Sequence, residues 1–373
     1  MGDTSADEKS KLPSTNRLAV IQQEYEEAES AYDKAAEAIP DTPDAEKKHD
    51  ALWEKFDTRQ AELFAAAVDI AKTDPKSGTA FAAMEWVLTV PRAYYLPAGK
   101  AAMELVTVHH ANNPKVGKII AWVGYYTPAT AAASHPAATA LIRAVAGQNT
   151  NRAARGQAAM ALAWQVRKKF AEAEYQKAAE ADALAAEAEK AFEAIVKEYA
   201  DCPRLMKDGQ RTLGQEAEQE LFELRRLRIG KEVPDIEGED LDATRLKLSD
   251  YRGRVNVLVF WASWCGPCMA MVPHERKLVE RTKNQPFALI GVNGDPDRGK
   301  ARQVAKKESM TWRSFWNGRE GPHGPISRAW NVRAWPTVYV LDHRGVIRAK
   351  NVTEEDLDKV VDQLLKEVPA GRK

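Results

Sequence analysis

Cysteine is scarce, with three in 373 residues, and that excludes a disulfide-rich scaffold. Long apolar runs are missing as well: no stretch approaches the roughly 18 continuous apolar residues that cross a bilayer. An excess of one charge is also absent. Lysine plus arginine equal aspartate plus glutamate, 54 against 54, so no overall field draws in nucleic acid or an anionic membrane. The opening "MGDTSADEKSKLPSTNRLAV" is polar and lacks the apolar core of a secretory signal. The expectation is a cytoplasmic protein, or an extracytoplasmic one whose leader has been removed.

What is there is the composition of folded domains: 44% hydrophobic and 29% charged residues in a chain too long for one ordinary core. The neutral total hides a mild split, because Lys231 to Lys373 carries 25 basic and 20 acidic side chains and the remainder is correspondingly acidic. Two differently composed domains account for it.

Residues 1–16 read as a flexible terminus. From Leu18 the positions Leu18, Ile21, Tyr25, Ala28, Tyr32, Ala35 and Ile39 lay one stripe along a helix, which "PDTPD" stops. A second helix with Trp53, Phe56, Phe64, Ala67 and Ile70 completes a hairpin. Shorter helices follow, several opening on a capping residue before proline, as at Asp74-Pro75, Asn113-Pro114 and His135-Pro136. Their irregular spacing suggests a loose bundle or solenoid. The stretch "KKFAEAEYQKAAEADALAAEAEKAFEAIVKEYA" reads as one long amphipathic helix. At "RIGKEVPDIEGEDL" the helical period vanishes, which puts an α-helical domain at 17–228 and a second domain at 229–373. In the latter, "RVNVLVFW" and "FALIGVN" read as buried strands, and "TVYVLD" and "VIRAK" as a pair joined by a turn. Strands interleaved with helices predict an α/β domain, hence a multidomain α plus α/β chain.

Two of the three cysteines stand in "FWASWCGPCMAM". A structural zinc site needs about four ligands, but there is one CxxC pair, Cys202 lies in the other domain, and His274 is poorly placed on the predicted helix. Redox exchange fits better. Cys265-Gly266-Pro267-Cys268 follows a buried strand and opens a helix, where unpaired N–H groups and the helix dipole favour a thiolate. Cys265 is then the attacking thiol, and Cys268, one turn further in, the resolving one.

"FWASWCGPCMAMVP", with Pro273 five residues after Cys268, resembles the active site of the thioredoxin superfamily. "AWPTVYVLDHRGVI" resembles that family's second landmark, a cis-proline opening a strand. The entry segment "LKLSDYRGRVNVLVFWASWCGPC" is closer to the TlpA/ResA-like (redoxin) branch. This resemblance covers about residues 231–373 and leaves the helical part unrecognised. It implies a thioredoxin-like fold, catalytic Cys265 and Cys268, and a substrate groove of Trp264, Gly266, Pro267, Trp335 and Pro336, with Pro336 cis. It implies no metal and no cofactor. The partners would be protein dithiol or disulfide substrates and an upstream electron donor, with the helical domain as a docking surface. Two departures stand out: Val259 occupies the position where thioredoxins commonly carry a buried aspartate, and Met269 replaces a frequent basic residue.

Other motifs are weaker. "GDPDRGKA" imitates a phosphate loop but ends in Ala301 and carries Asp295 and Asp297, which would repel phosphate, so it reads as a strand-to-helix turn. His109-His110 read as helix-end histidines favoured when protonated, Cys202 as an inert thiol, and "GREGPHG" as a loop able to gate substrates. The leading function is a thiol-disulfide oxidoreductase that reduces protein disulfides, because Gly-Pro between the cysteines resembles the reducing end of the family. The alternatives are a peroxiredoxin-like enzyme, disfavoured by Ala262 and Leu258 where that family needs threonine or serine and proline, and a non-enzymatic helical adaptor.

Overall fold

Apolar residues at three-four spacing become packed helices, and the later apolar runs become a sheet buried on both faces. A computed structural model describes residues 12–126, 135–176, 178–205, 211–352 and 354–369. It divides into two compact units, Met1–Glu218 and Gln219–Lys373.

The first unit is helical: α1 (Ser14–Glu37), α2 (Ala45–Thr73), α3 (Gly78–Thr89), α4 (Pro97–His109), α5 (Gly117–Tyr126), α6 (Pro136–Gln148), α7 (Arg152–Tyr175), α8 (Ala181–Tyr199) and the start of α9 (Leu213–Arg226). Helices α1 and α2 pack together, with the Tyr25 and Phe64 rings 5.7 Å apart. Phe64, Met84, Met103, Ile119 and Leu141 fill the core. Alanine lets helices approach closely: a Cβ on Gly124 of α5 would lie 2.5 Å from the Ala161 Cβ of α7.

Several expectations change here. Ser14 to Asn16 are helical rather than flexible, and residues 1–11 lie outside the described ones. The alanine- and glutamate-rich stretch is two helices, α7 and α8, packed on each other. The Ala178 N–H donates back to the Ala173 carbonyl at 2.8 Å, a bond that closes a helix C-terminus without glycine or proline. Helix α3 is capped by Ser77, whose Oγ accepts from the Ala80 N–H, not by Asp74. His110 is buried against Phe81, and desolvation pushes its pKa down, so the neutral ring is favoured rather than the protonated one. Cys202 is buried too, and burial pushes its thiol up.

The second unit begins inside α9, earlier than the change of composition at Arg228, because Phe222 and Leu227 pack into the apolar cluster beneath the sheet. After the hairpin β1 (Glu237–Glu239) and β2 (Arg245–Lys247) come β3 (Val255–Trp261), α10 (Gly266–Thr282), β4 (Phe287–Asn293), α11 (Arg298–Lys307), β5 (Ser314–Trp316), α12 (Pro325–Ala329), β6 (Thr337–Leu341), β7 (Ile347–Lys350) and α13 (Glu354–Glu367). The sheet order is β5-β4-β3-β6-β7. Strands β3, β4 and β5 run parallel, and β6 and β7 antiparallel to their neighbours. All seven residues of β3 are buried. Alternation along a strand sends Val257, Val259 and Trp261 into one apolar cluster and Leu258 and Phe260 into the other, which is why the run is apolar throughout.

Candidate functional site

Strand β3 ends on Trp261, and the short turn Ala262 to Trp264 delivers Cys265 to the N-cap of α10. The Cys265 Sγ accepts a hydrogen bond from the Cys268 N–H at 3.2 Å. A sulfur there faces the unpaired N–H groups and the positive end of the helix dipole, the setting that favours thiolate over thiol. Cys265 and Cys268 are joined as a disulfide. Both are buried, while Gly266 and Pro267 between them are exposed. Only an edge of the pair meets solvent.

The antiparallel pairing of β3 with β6 sets Thr337 opposite Phe260, so the residues entering β6 lie beside the end of β3 that leads to the cysteines. There the Trp335–Pro336 peptide is cis. The Trp264 ring, on a residue 52% exposed, lies 5.9 Å from that of Trp335. Gly294 makes this possible: a Cβ at that position would come within 2.5 Å of the Trp335 ring. The structure thus brings Trp264, Cys265, Gly266, Pro267, Cys268, Trp335 and Pro336 into one neighbourhood. Among the described residues no group of three or more His, Cys, Asp or Glu side chains could hold a metal, and His274 sits instead 3.4 Å from Asp358 of α13.

Three features escaped sequence reasoning. Asp295, read as a residue that repels phosphate, is 2% exposed. Its Oδ2 accepts from the Ser263 N–H at 2.9 Å and from Asn293 Nδ2 at 2.7 Å, and its Oδ1 accepts from Ser263 Oγ at 2.6 Å. The carboxylate therefore fixes the turn immediately ahead of Cys265. Asp297 caps α11 by accepting from the Lys300 N–H, which makes "GDPDRGKA" the strand-to-helix turn its sequence suggested.

The second is Glu275, on the face of α10 that also buries Cys268, Val272 and Leu278. It is 2% exposed and its Oε1 has no hydrogen-bond partner. Desolvation, with a smaller push from Glu354, raises its pKa to about 8. Val259, in the same cluster as both cysteines, supplies no carboxylate.

The third is the loop "GREGPHG", which is pinned. Asn317, fully buried, donates to the Gly321 carbonyl at 2.6 Å and to Ser327 Oγ at 2.8 Å. Gly324 is packed so closely on the Asn317 carbonyl that no side chain fits.

The sheet order, the cysteine pair opening α10 and the cis-proline opening β6 place the second unit among thioredoxin-like domains. Residues 229–350 match the AhpC/TSA family. The chain is 26% identical over 139 residues to the thiol-disulfide oxidoreductase ResA of Geobacillus kaustophilus, covering 36% of this chain and 78% of that protein. It is 28% identical over 139 residues to the thioredoxin-like protein YneN of Bacillus subtilis, with the same coverages of 36% and 78%. A solved thiol-disulfide oxidoreductase from Bacteroides fragilis is 26% identical, with a TM-score of 0.34 over 36% of this chain and 99% of its own length. The C-terminal domain is similar in sequence to ResA-like thiol-disulfide oxidoreductases, and the residues ahead of 229 fall outside the family match. No helix among the described residues is long and apolar enough to cross a membrane.

Proposed function

We propose that this chain reduces disulfide bonds in protein substrates. The observation that carries the reading is Cys265 at the helix N-cap with its sulfur within bonding reach of Cys268. In the reduced state the Cys265 thiolate attacks one sulfur of the substrate disulfide, forming a mixed disulfide and releasing the other substrate sulfur as a thiolate. Cys268 then loses its proton and displaces the first sulfur. The products are a dithiol substrate and the Cys265–Cys268 disulfide, and a second dithiol protein returns two electrons to begin again. Without an aspartate at Val259, the Cys268 proton passes to water or to the departing substrate thiolate. Trp264, Gly266, Pro267, Trp335 and Pro336 form the rim that receives the substrate, with Trp264 and Trp335 favouring an apolar flank beside its disulfide. The helical domain acts as a docking surface.

Peroxide reduction is a second reading, favoured by the AhpC/TSA match. Against it, Ala262 and Leu258 stand where peroxide-activating residues would be needed. The test is a comparison of initial rates with insulin and with hydrogen peroxide, using the same dithiol donor. Insulin should turn over at least about a hundredfold faster, a preference of about 2.7 kcal/mol in the barrier. Equal or faster peroxide turnover would replace the reductase reading.

A further inference from the structure

Helix α9 carries two carboxylates that reach the segment leading into the cis-proline. Glu220, 1% exposed, forms an ion pair with Arg333. Glu223 accepts from Asn331 Nδ2 at 3.0 Å and lies 3.3 Å from Lys350 Nζ. Arg333 Nε in turn donates to Asn331 Oδ1 at 3.2 Å. Asn331 lies in the left-handed region at φ 49°, which asparagine enters more readily than most non-glycine residues. Val332 between them donates to the Ser327 carbonyl at 2.9 Å. The same helix packs Phe222 against the cluster that contains Trp330 and Tyr339, and Leu227, just past its end, is buried there.

Burying the Glu220 carboxylate is costly, and a hydrophobic side chain there would have served the core as well; Glu223 beside it is half-buried. A general surface role does not explain them either. Among their partners are Asn331 and Arg333, immediately ahead of Ala334, Trp335 and Pro336, and Lys350 of the neighbouring strand. Glu220 and Glu223 fall within the second unit but lie before the segment that matches the AhpC/TSA family.

We propose that Glu220 and Glu223 are positioning residues that clamp the 331–333 loop, so that the Trp335–Pro336 edge is preset for a protein substrate. This rests on the reductase reading of the site. The clamp touches neither sulfur, so it acts on substrate binding and leaves the reactivity of Cys265 alone. Arg333 is 44% exposed, so releasing it returns a charge to water rather than stranding it, and the fold should survive.

The test is the full-length Glu220→Gln/Glu223→Gln double variant, with Arg333→Ala as a second route to the same release. The expected result is a KM for insulin raised about tenfold with kcat within about twofold. Alkylation of reduced Cys265 by iodoacetamide should be unchanged. Amide hydrogen exchange across residues 331–335 should be faster in both variants. Wild-type KM together with wild-type exchange would overturn the proposal, as would a joint fall in kcat, alkylation and melting temperature, which marks a merely structural pair. If wild-type protein itself fails to turn over insulin, the reductase reading is what falls, and the exchange measurement still decides whether the clamp orders the loop.

Discussion

Cys268→Ser should accumulate a covalent adduct with its protein partner, visible as a band that reducing agent removes, while Cys265→Ser forms none. Both variants should lose at least about a thousandfold in turnover, as expected when a nucleophile or its resolving partner is deleted. The asymmetry follows from the site. Cys265 caps α10 and receives the Cys268 N–H, so it holds the stabilised thiolate. Cys268, inside the first turn and buried, attacks the Cys265 sulfur and expels the substrate sulfur only after Cys265 has captured it. Adducts forming equally on either single variant would reverse the assignment. Unchanged function in Cys265→Ser would make the domain a binding module.

Glu275→Leu should stabilise the C-terminal domain, and by an amount that grows with pH. Burial raises the folded-state pKa to about 8 from an ordinary value of 4.5. The folded form therefore binds a proton that the unfolded chain releases above the ordinary value. Stability from this group is fully present below about pH 4.5, declines as pH rises, and reaches its minimum once the folded carboxyl has ionised above about 8. At pH 8 the wild type gives up roughly 4 kcal/mol relative to acid conditions. The leucine variant lacks that slope, so its melting temperature should exceed the wild type's by about 10 °C at pH 8 and by little at pH 5. Parallel melting curves across this range would show that Glu275 is solvated.

The legible parts of the fold were those where pattern and position agree. The unbroken apolar run of β3 requires cover on both faces, and a CxxC following such a strand falls where a helix must start. The turn at Gly345, with φ 78°, joined β6 to β7 as its sequence indicated. The break between α7 and α8 was hidden because the residues at Gln176–Glu180 are good helix formers, and the stop comes from a backbone bond and from packing. Asp295 was read for its charge, whereas its role depends on Ser263, distant in sequence and adjacent only once β3 and β4 pair. Glu275 occupies a slot of α10 that amphipathic spacing marks as buried, but a glutamate in a charged stretch reads as solvated. Glu220 and Glu223 stand one turn apart on α9 in the charge-rich "EAEQELFELRR". Their arginine, asparagine and lysine partners come more than a hundred residues later in the chain, where local pattern gives no hint.

The most direct measurement is the titration of Cys265 in the reduced protein, followed through the pH dependence of its alkylation rate, with Cys268→Ser isolating the single thiol. A sulfur held at the N-cap of α10 should ionise near pH 7, as attacking thiols of CxxC motifs do. A thiol that stays protonated to about pH 8.5, the value of an unperturbed cysteine, would contradict the assignment of Cys265 as the attacking nucleophile.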